Sequence, residues 1–158
     1  MQKRIFVFIA AFIMLGGSLF SQTKDISESK LPDDVKEVLN EYIKILQNAT
    51  DLDDAASKVK KIFAGHLLNS EGEVDKDVYY FSLKKDFNNA KFYQYPVDIT
   101  RISRTKNDYD GFQETLFEGT RYKIWIAKKD GVAGVPAPVP IIKPSKGSPK
   151  VVSVIGSL

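Results

Sequence analysis

Cysteine is absent from this chain of 158 residues, and histidine occurs only once. Without cysteine there is no disulfide, no thiol nucleophile, no thiolate metal ligand and no lipid anchor on a modified cysteine. A single histidine also argues against a transition-metal site, and we expect neither a metal nor another cofactor. Apolar burial and backbone pairing must therefore hold the fold together.

Long apolar runs are also missing, except at the N-terminus. There, Lys3 and Arg4 precede Ile5–Phe20, a run of 16 uncharged residues, which is shorter than the roughly 20 that a membrane-spanning helix needs. A positive start, a short apolar run and a small residue such as Ser21 are typical of a secretory signal peptide. We predict cleavage near Ser21–Gln22 and an exported product, periplasmic or secreted, with no stable membrane anchor.

Neither sign of charge is in large excess. The formal net charge of +3 falls to +1 when Lys3 and Arg4 leave with the signal. A near-neutral domain lacks the basic character of nucleic-acid-binding proteins, so we expect no nucleic-acid partner. The chain divides into a signal peptide at 1–21, a polar tether at 22–30 and a single domain at 31–158, which is long enough for one core.

Apolar residues at helical spacing predict two helices at the start of the domain. The first spans 32–47, with Pro32 in its first turn. The second begins at Thr50 as the N-cap, has Asp53 in a capping-box position and stops at Gly65. A short hairpin is then expected around 70–73.

The next stretch, 78–90, is ambiguous. Tyr80, Leu83, Phe87 and Ala90 fit a third helix, whereas the aromatic run that starts at Val78 would also suit a strand. We favour the helix, because charged residues at 84–86 interrupt any strand alternation.

From Phe92 the hydrophobic period changes to two, which predicts a strand. Ile102 breaks the alternation, as a bulge or a strand end would. A turn is expected at 107–111. A second long strand is predicted at 112–128, with a bend at Gly119.

Prolines alternate at 136, 138 and 140, and they would remove N–H donors from one edge of an extended strand only. This pattern predicts a strand at the border of a sheet, or an irregular lead-in to a strand at Ile141–Ile142. A turn at 145–149 follows. The run Val151–Ile155 is apolar on both faces, so we predict a buried last strand that pairs with Ile141–Ile142.

This order of elements over about 31–158, with helices first and then four strands in an antiparallel meander, resembles the NTF2-like (cystatin-related) α+β superfamily. The resemblance implies N-terminal helices packed on a bent antiparallel sheet of about four strands, which forms a cone with an open mouth. That superfamily includes isomerases, dehydratases and many non-catalytic modules, so the resemblance does not give the function.

Few residues are candidates for chemistry. His66, just past the second helix, could act as a general base or ligand, or be a polar residue at an element boundary. The resemblance implies an acid in an aromatic-lined cone, and Asp98 is the candidate, although a solvent-facing carboxylate on a half-exposed sheet is the simpler interpretation. Tyr79, Tyr80 and Trp125 could line such a cavity or could fill the core.

These observations favour an exported, non-catalytic NTF2-like module that binds a small molecule or a protein partner. The first alternative is a small acid–base isomerase or lyase that uses Asp98 with a tyrosine donor. The second is a structural component of an envelope complex, and a homodimer through the sheet is a further expectation. The position of Asp98 and the filling of the cone distinguish a cavity from surface binding.

Overall fold

The computed structural model describes residues 22–111 and 116–153. The predicted signal peptide at 1–21 lies outside these residues. Three helices pack on one face of a five-stranded antiparallel sheet, so the chain has an α+β fold as predicted. No helix in the two described ranges is long and apolar enough to cross a membrane.

The helical layer is close to the sequence prediction. Helix α1 spans Asp33–Asn48 and buries the six residues at the predicted spacing: Val35, Val38, Leu39, Tyr42, Ile43 and Leu46. Helix α2 is shorter than expected, at Leu52–Val59, and therefore ends well before Gly65. Residues 78–90 are helical, with a π-helical turn at Val78–Leu83 that continues into α3 at Lys84–Ala90. The expected hairpin is reduced to one antiparallel bridge between Leu68 and Val74.

The strands follow one another across the sheet in the order β1-β2-β3-β4-β5. Their bounds are Thr23–Asp25 for β1, Ile99–Asp110 for β2, Phe117–Ile126 for β3, Pro138–Lys143 for β4 and Lys150–Val151 for β5. The inner face of the sheet buries Ile102, Ile124, Ile126 and Ile141 against the helices. Alternation places Arg101, Lys123 and Trp125 on the outer face.

The fifth strand, β1, corrects the prediction of a tether. Residues 23–25 pair with Ser103–Thr105 of β2, and Glu28–Lys30 form a 3₁₀ turn. All three residues of β1 remain exposed. Polar residues without periodicity suggested a tether, but an edge strand needs only backbone pairing and no buried side chains.

Two strand predictions need correction at β2. Residues 92–98 alternate as a strand does, yet β2 begins only at Ile99, after the cis peptide bond at Tyr95–Pro96. Before Pro96 the pairing is limited to an antiparallel bridge between Tyr93 and Lys128. Pro96 has no N–H to give to a ladder, which explains why this pairing does not run continuously into β2. At the other end, the turn expected at 107–111 is a bulged continuation of β2 to Asp110, with Asn107 at φ 51°. The bulge expected near Ile102 is confirmed by a register shift between Ile99 and Arg101.

The proline-rich segment forms the strand that its pattern predicts. Pro138 and Pro140 lie opposite Trp125 and Lys123 of β3. The Pro140 carbonyl accepts a hydrogen bond from Val152 N at 3.1 Å, so it faces away from β3. The backbone N and O atoms of one residue in an antiparallel strand point to the same side, so the nitrogen of Pro140 also faces away from β3. The missing donors of Pro138 and Pro140 therefore lie on the side of β4 that faces β5, which pairs only at Ile141 and Ile142. Pro136 precedes the strand, so the prediction for 136–140 holds only from Pro138, and β4 is next to the edge strand rather than at the edge.

The last strand is buried, as its two apolar faces predict. Val151 and Val152 are fully buried, and Val151 lies between Ile141 and Phe63. The predicted strand at 151–155 is shorter than expected, because β5 ends at Val151 and residues 152 and 153 follow it outside any strand. Residues 154 and 155 lie outside the described residues.

Candidate functional site

The structure does not bring together the two residues that were candidates for catalysis. Asp98 is not in the middle of a strand; it is exposed and immediately precedes β2. His66 lies in a 3₁₀ turn at Gly65–Leu67, where its Nε2 is 3.3 Å from Asp110 at the other end of β2. Twelve strand residues separate these ends, which corresponds to roughly 36–40 Å. Asp98 and His66 therefore cannot act as a pair.

The aromatic candidates are also separated. Tyr79 donates a hydrogen bond from its hydroxyl to Asp53 of α2, and its ring meets Tyr80 edge-on at 5.0 Å. Both lie in the helical layer, and Tyr80 is exposed. Trp125 lies on the outer face of the sheet, where the Arg101 guanidinium is 4.6 Å from the centre of its ring. The three rings do not line one cavity.

The acid inside the domain is Asp86, not Asp98. Asp86 is only 3% exposed, and it accepts a hydrogen bond of 2.6 Å from the hydroxyl of Tyr42. Burial raises the pKa of Tyr42 well above its usual value, and the neighbouring carboxylate raises it further. The pKa of Tyr93 is raised mainly by burial and also by the charge of Asp86. A carboxyl group thus lies among tyrosines in the packed interior.

A cluster at the distal end of the sheet holds the densest set of polar contacts, and we call it the arginine clamp. Arg121 donates from Nε to Asp108 at 2.7 Å, from Nη1 to Asp110 at 2.7 Å and from Nη2 to the carbonyl of Tyr109 at 2.6 Å. Burial by itself would lower the pKa of Arg121, but the hydrogen bonds that it donates to Asp110 and Asp108 raise it overall. Three charge-assisted bonds to consecutive residues fix the backbone at 108–110.

His66 packs onto this clamp through one ring nitrogen, and its other ring nitrogen is buried away from solvent. Its Nε2 lies 2.7 Å from the carbonyl of Val152 and 3.3 Å from Asp110. Both neighbours are acceptors, so Nε2 carries the proton and donates. Its Nδ1 is buried and has no hydrogen-bond partner among the described residues. The geometry gives His66 a structural role, which ties the turn after α2 to the end of the sheet.

A groove of about 400 Å³ adjoins the clamp, within the range of sites that take small molecules. We call it the tyrosine groove. Its lining residues are Asn107, Asp108, Tyr109, Glu118, Gly119 and Ser145. Tyr109 lies directly opposite Glu118 in the β2–β3 pair, so their side chains project from the same face. Tyr109 is 62% exposed, although it is held by the arginine clamp through its backbone.

The sequence contained signals for Asp86 and for the tyrosine groove, although neither was predicted from them. Asp86 follows Leu83 by three residues on the apolar stripe of α3, and a charge on the buried face of a helix indicates a polar group in the core. At the groove, Asn107–Gly111 suggested only a turn. A turn signal in a strand that resumes its pairing is also typical of a bulge, and bulges are frequent beside functional sites.

Comparisons with known proteins add no constraint. Neither the models of protein families, nor the curated proteins, nor the solved structures include one that matches this chain. Within the described parts of the chain, no group of three or more histidine, aspartate or glutamate side chains is arranged to hold a metal ion.

Proposed function

We propose that this chain is an exported, non-catalytic binding module of the NTF2-like kind, and that it takes a small polar molecule in the tyrosine groove. The support comes from two regions with opposite character. The interior is packed with its own side chains, whereas the distal end of the sheet carries an exposed tyrosine on a clamped backbone beside a groove.

One observation carries the choice of a surface site. Tyr42 and Tyr93, the two largest fully buried side chains, are 1% and 0% exposed and fill the space between the helices and the sheet. In an NTF2-like cone, tyrosine side chains in these positions would occupy space that a ligand needs. A binding site is therefore expected on the surface, where the groove of about 400 Å³ is available.

A thermal-shift screen of polar metabolites against the purified chain tests this proposal. We expect at least one compound to raise the midpoint of unfolding of the parent protein, since a ligand that binds only the folded state stabilises it. That shift should disappear in Tyr109→Ala, which removes the exposed ring, and persist in Tyr95→Ala, which removes another exposed tyrosine near the start of β2. Compounds that raise the midpoint of unfolding of Tyr109→Ala as much as that of the parent protein would refute a site in the groove.

A second candidate function, a small acid–base isomerase or lyase, is favoured by one specific contact. The hydroxyl of Tyr42 donates to Asp86 at 2.6 Å in the interior, and a buried carboxyl group beside a tyrosine is a combination suited to proton transfer. In this hypothesis Asp86 takes the role that the sequence suggested for Asp98. The interior would have to open for a substrate, because Asp86 is only 3% exposed.

The same screen separates the two functions. A ligand of the interior would lose its effect in Asp86→Asn and keep it in Tyr109→Ala. A ligand of the tyrosine groove would show the reverse. Any hit that depends on Asp86 should then be incubated with the parent protein, and its conversion followed by NMR.

Export and self-association are tested separately. Protein from the native host should have an intact mass that begins near Gln22, and a mass that includes Lys3 and Arg4 would contradict export. A homodimer through the outer face of the sheet would be weakened by Trp125→Glu, which light scattering on the parent and the variant can measure.

A further inference from the structure

The tyrosine groove combines an aromatic ring with a high density of hydrogen-bonding groups. Among the described residues, five of the six that line it carry polar side chains, and the sixth is Gly119. Tyr109 is the single aromatic residue among them, and its ring is mostly exposed. The chemistry of this lining determines which ligands can enter.

The clamp holds Tyr109 ready for contact before any ligand arrives. Arg121 grips the carbonyl of Tyr109 and the carboxylates on either side of it, from the outer face of the sheet. The side chain of Tyr109 projects from the other face, beside that of Glu118. Because the backbone is already fixed, binding does not carry the entropy cost of ordering it. As a share of the binding free energy, this saving is largest for a weakly binding small molecule.

Charge and polarity exclude two ligand classes. An apolar molecule would strip water from the carboxylates of Glu118 and Asp108 without giving them hydrogen bonds, which is costly. An anion would be repelled by the same carboxylates. The ion pair between Asp108 and Arg121 weakens the attraction of the lining for a cation, so a cation is tested as the competing ligand.

We propose that the groove binds a neutral polyhydroxylated ligand, a mono- or disaccharide. This inference rests on the proposed function and specifies its ligand class. The C–H face of a sugar ring packs on the ring of Tyr109, where it covers exposed aromatic surface. Sugar hydroxyls act as donors and acceptors at once, so they match the carboxylate of Glu118, the amide of Asn107 and the hydroxyl of Ser145. A volume of about 400 Å³ accommodates one or two sugar rings.

The test is a titration of the purified chain with maltose, cellobiose and N,N′-diacetylchitobiose, followed by NMR. We expect at least one disaccharide to bind with a dissociation constant in the millimolar range or below. Tyr109→Ala should weaken that binding by about tenfold or more, as truncation of a central aromatic contact does. Tyr109→Trp keeps an aromatic face and should retain binding, and Tyr95→Ala should change nothing.

The outcomes separate the ligand class from the function. If no saccharide binds, but another compound from the metabolite screen binds and depends on Tyr109, the binding module stands and the saccharide class is wrong. A preference for spermidine over the sugars would show a cation site instead. If no compound depends on Tyr109, both proposals fall. Saccharide binding that is unchanged in Tyr109→Ala places the sugar elsewhere and overturns the groove.

Discussion

Two neighbouring aspartates fix the start of α2 by exchanging hydrogen bonds with the backbone. The side chain of Asp51 accepts from Asp54 N at 2.8 Å, and the side chain of Asp54 accepts from Thr50 N at 3.0 Å. Asp54 also meets Lys58 at 2.6 Å, and the hydrogen bond from Lys58 is the main reason why its pKa is lowered. Asp51 is therefore the N-cap, one residue after the predicted cap at Thr50, and the side chain of Asp54 reaches back to the residue before the cap.

The cap predicts a difference between adjacent residues. Asp51→Ala should lower the free energy of unfolding by about 0.5–2 kcal/mol, because Asp54 N loses its acceptor. Thr50→Ala is the matched control and should be nearly neutral, since the Thr50 side chain does not cap α2. Urea unfolding of the two variants measures this difference. Equal losses in both variants would restore Thr50 as the cap.

Tyr79 predicts a late step in an alkaline titration. The hydrogen bond to Asp53 is the main cause that raises its pKa from 10.0 to about 12, with desolvation second. A raised pKa in the folded state means that this bond contributes stability fully below pH 10 and loses it as pH rises through about 12. The difference in phenolate absorbance between the parent and Tyr79→Phe should therefore have its midpoint near 12. A midpoint near 10 would show that the bond does not form in solution.

For individual residues, the sequence predicted which residue types matter better than it predicted their hydrogen-bond partners. The aspartates at 51–54 were recognisable as residues that favour a helix start. Which one is the N-cap depends on where the helix begins to within one residue, and helix propensity does not resolve that position. Asp86 helped to predict the helix at 78–90 correctly, but its burial was not predicted, because its partner Tyr42 lies 44 positions away. Contacts of that sequence separation are set by packing and have no local signal.

Strand β3 and strand β4 approach each other most closely where β3 carries a glycine. A Cβ atom at Gly119 would overlap the carbonyl group of Lys143 and crowd Pro144. The contact is with backbone atoms, which cannot swing aside as the end of a side chain can. The bend that the sequence suggested at Gly119 therefore reflects a close approach between two strands, beside the tyrosine groove.

This contact predicts that Gly119→Ala destabilises the fold by about 1–3 kcal/mol, the usual cost of overpacking, and alters the groove. Gly65→Ala is the control, because a Cβ at Gly65 would meet nothing within 4 Å. Thermal unfolding of both variants provides the measurement. If Gly119→Ala melts at the temperature of the parent, β3 and β4 are farther apart than described.

The arginine clamp predicts an unequal response from two arginines of the sheet. Arg121→Met should cost on the order of 2 kcal/mol, since it leaves two partly buried carboxylates facing each other without a cation. The control is Arg101→Met, whose ion pair with Asp25 is more than half exposed on both sides and should be worth at most about 1 kcal/mol. Chemical denaturation with added salt is informative here, because only the exposed pair should weaken further. Equal losses would contradict a clamp.

Three features of the fold could be predicted, because each has a periodic or compositional cause. They are helix α1, the prolines of β4 and the burial of Val151 and Val152. Strand β1 could not, because its residues are exposed and only its backbone pairs. Residues 92–98 show the opposite error, since their side chains alternate as in a strand although Pro96 interrupts the ladder. Whether a segment pairs depends on its partner strand, and the sequence of the segment alone does not contain that information.

For the whole molecule, the two ends of the described chain make very different contributions. The first residues add β1 at an edge, with every side chain exposed. The last residues enter the core, where Val151 donates to the carbonyl of Ile62 at 2.8 Å and accepts from Ala64 N at 2.9 Å. The C-terminal end thereby closes the sheet against the turn after α2.

A pair of truncations tests this asymmetry. Removal of residues 151–158 deletes Val151 and Val152, which are 0% and 1% exposed and are worth about 1.5–3 kcal/mol each when fully buried. It also removes three backbone hydrogen bonds to Ile62, Ala64 and Pro140, each worth about 0.5–1.5 kcal/mol. Together these losses approach the 5–15 kcal/mol that stabilises an ordinary domain.

We therefore expect the C-terminal truncation to be unfolded or insoluble. Removal of residues 22–29 should cost much less, since it takes away the exposed pairing of β1, the turn beside it and one partly buried side chain, that of Ile26. Circular dichroism melts of the two proteins decide between the outcomes. If the chain without 151–158 melts as cooperatively as the parent, the burial of the last strand does not hold the sheet together. The helices and β2–β4 would then form a stable core by themselves.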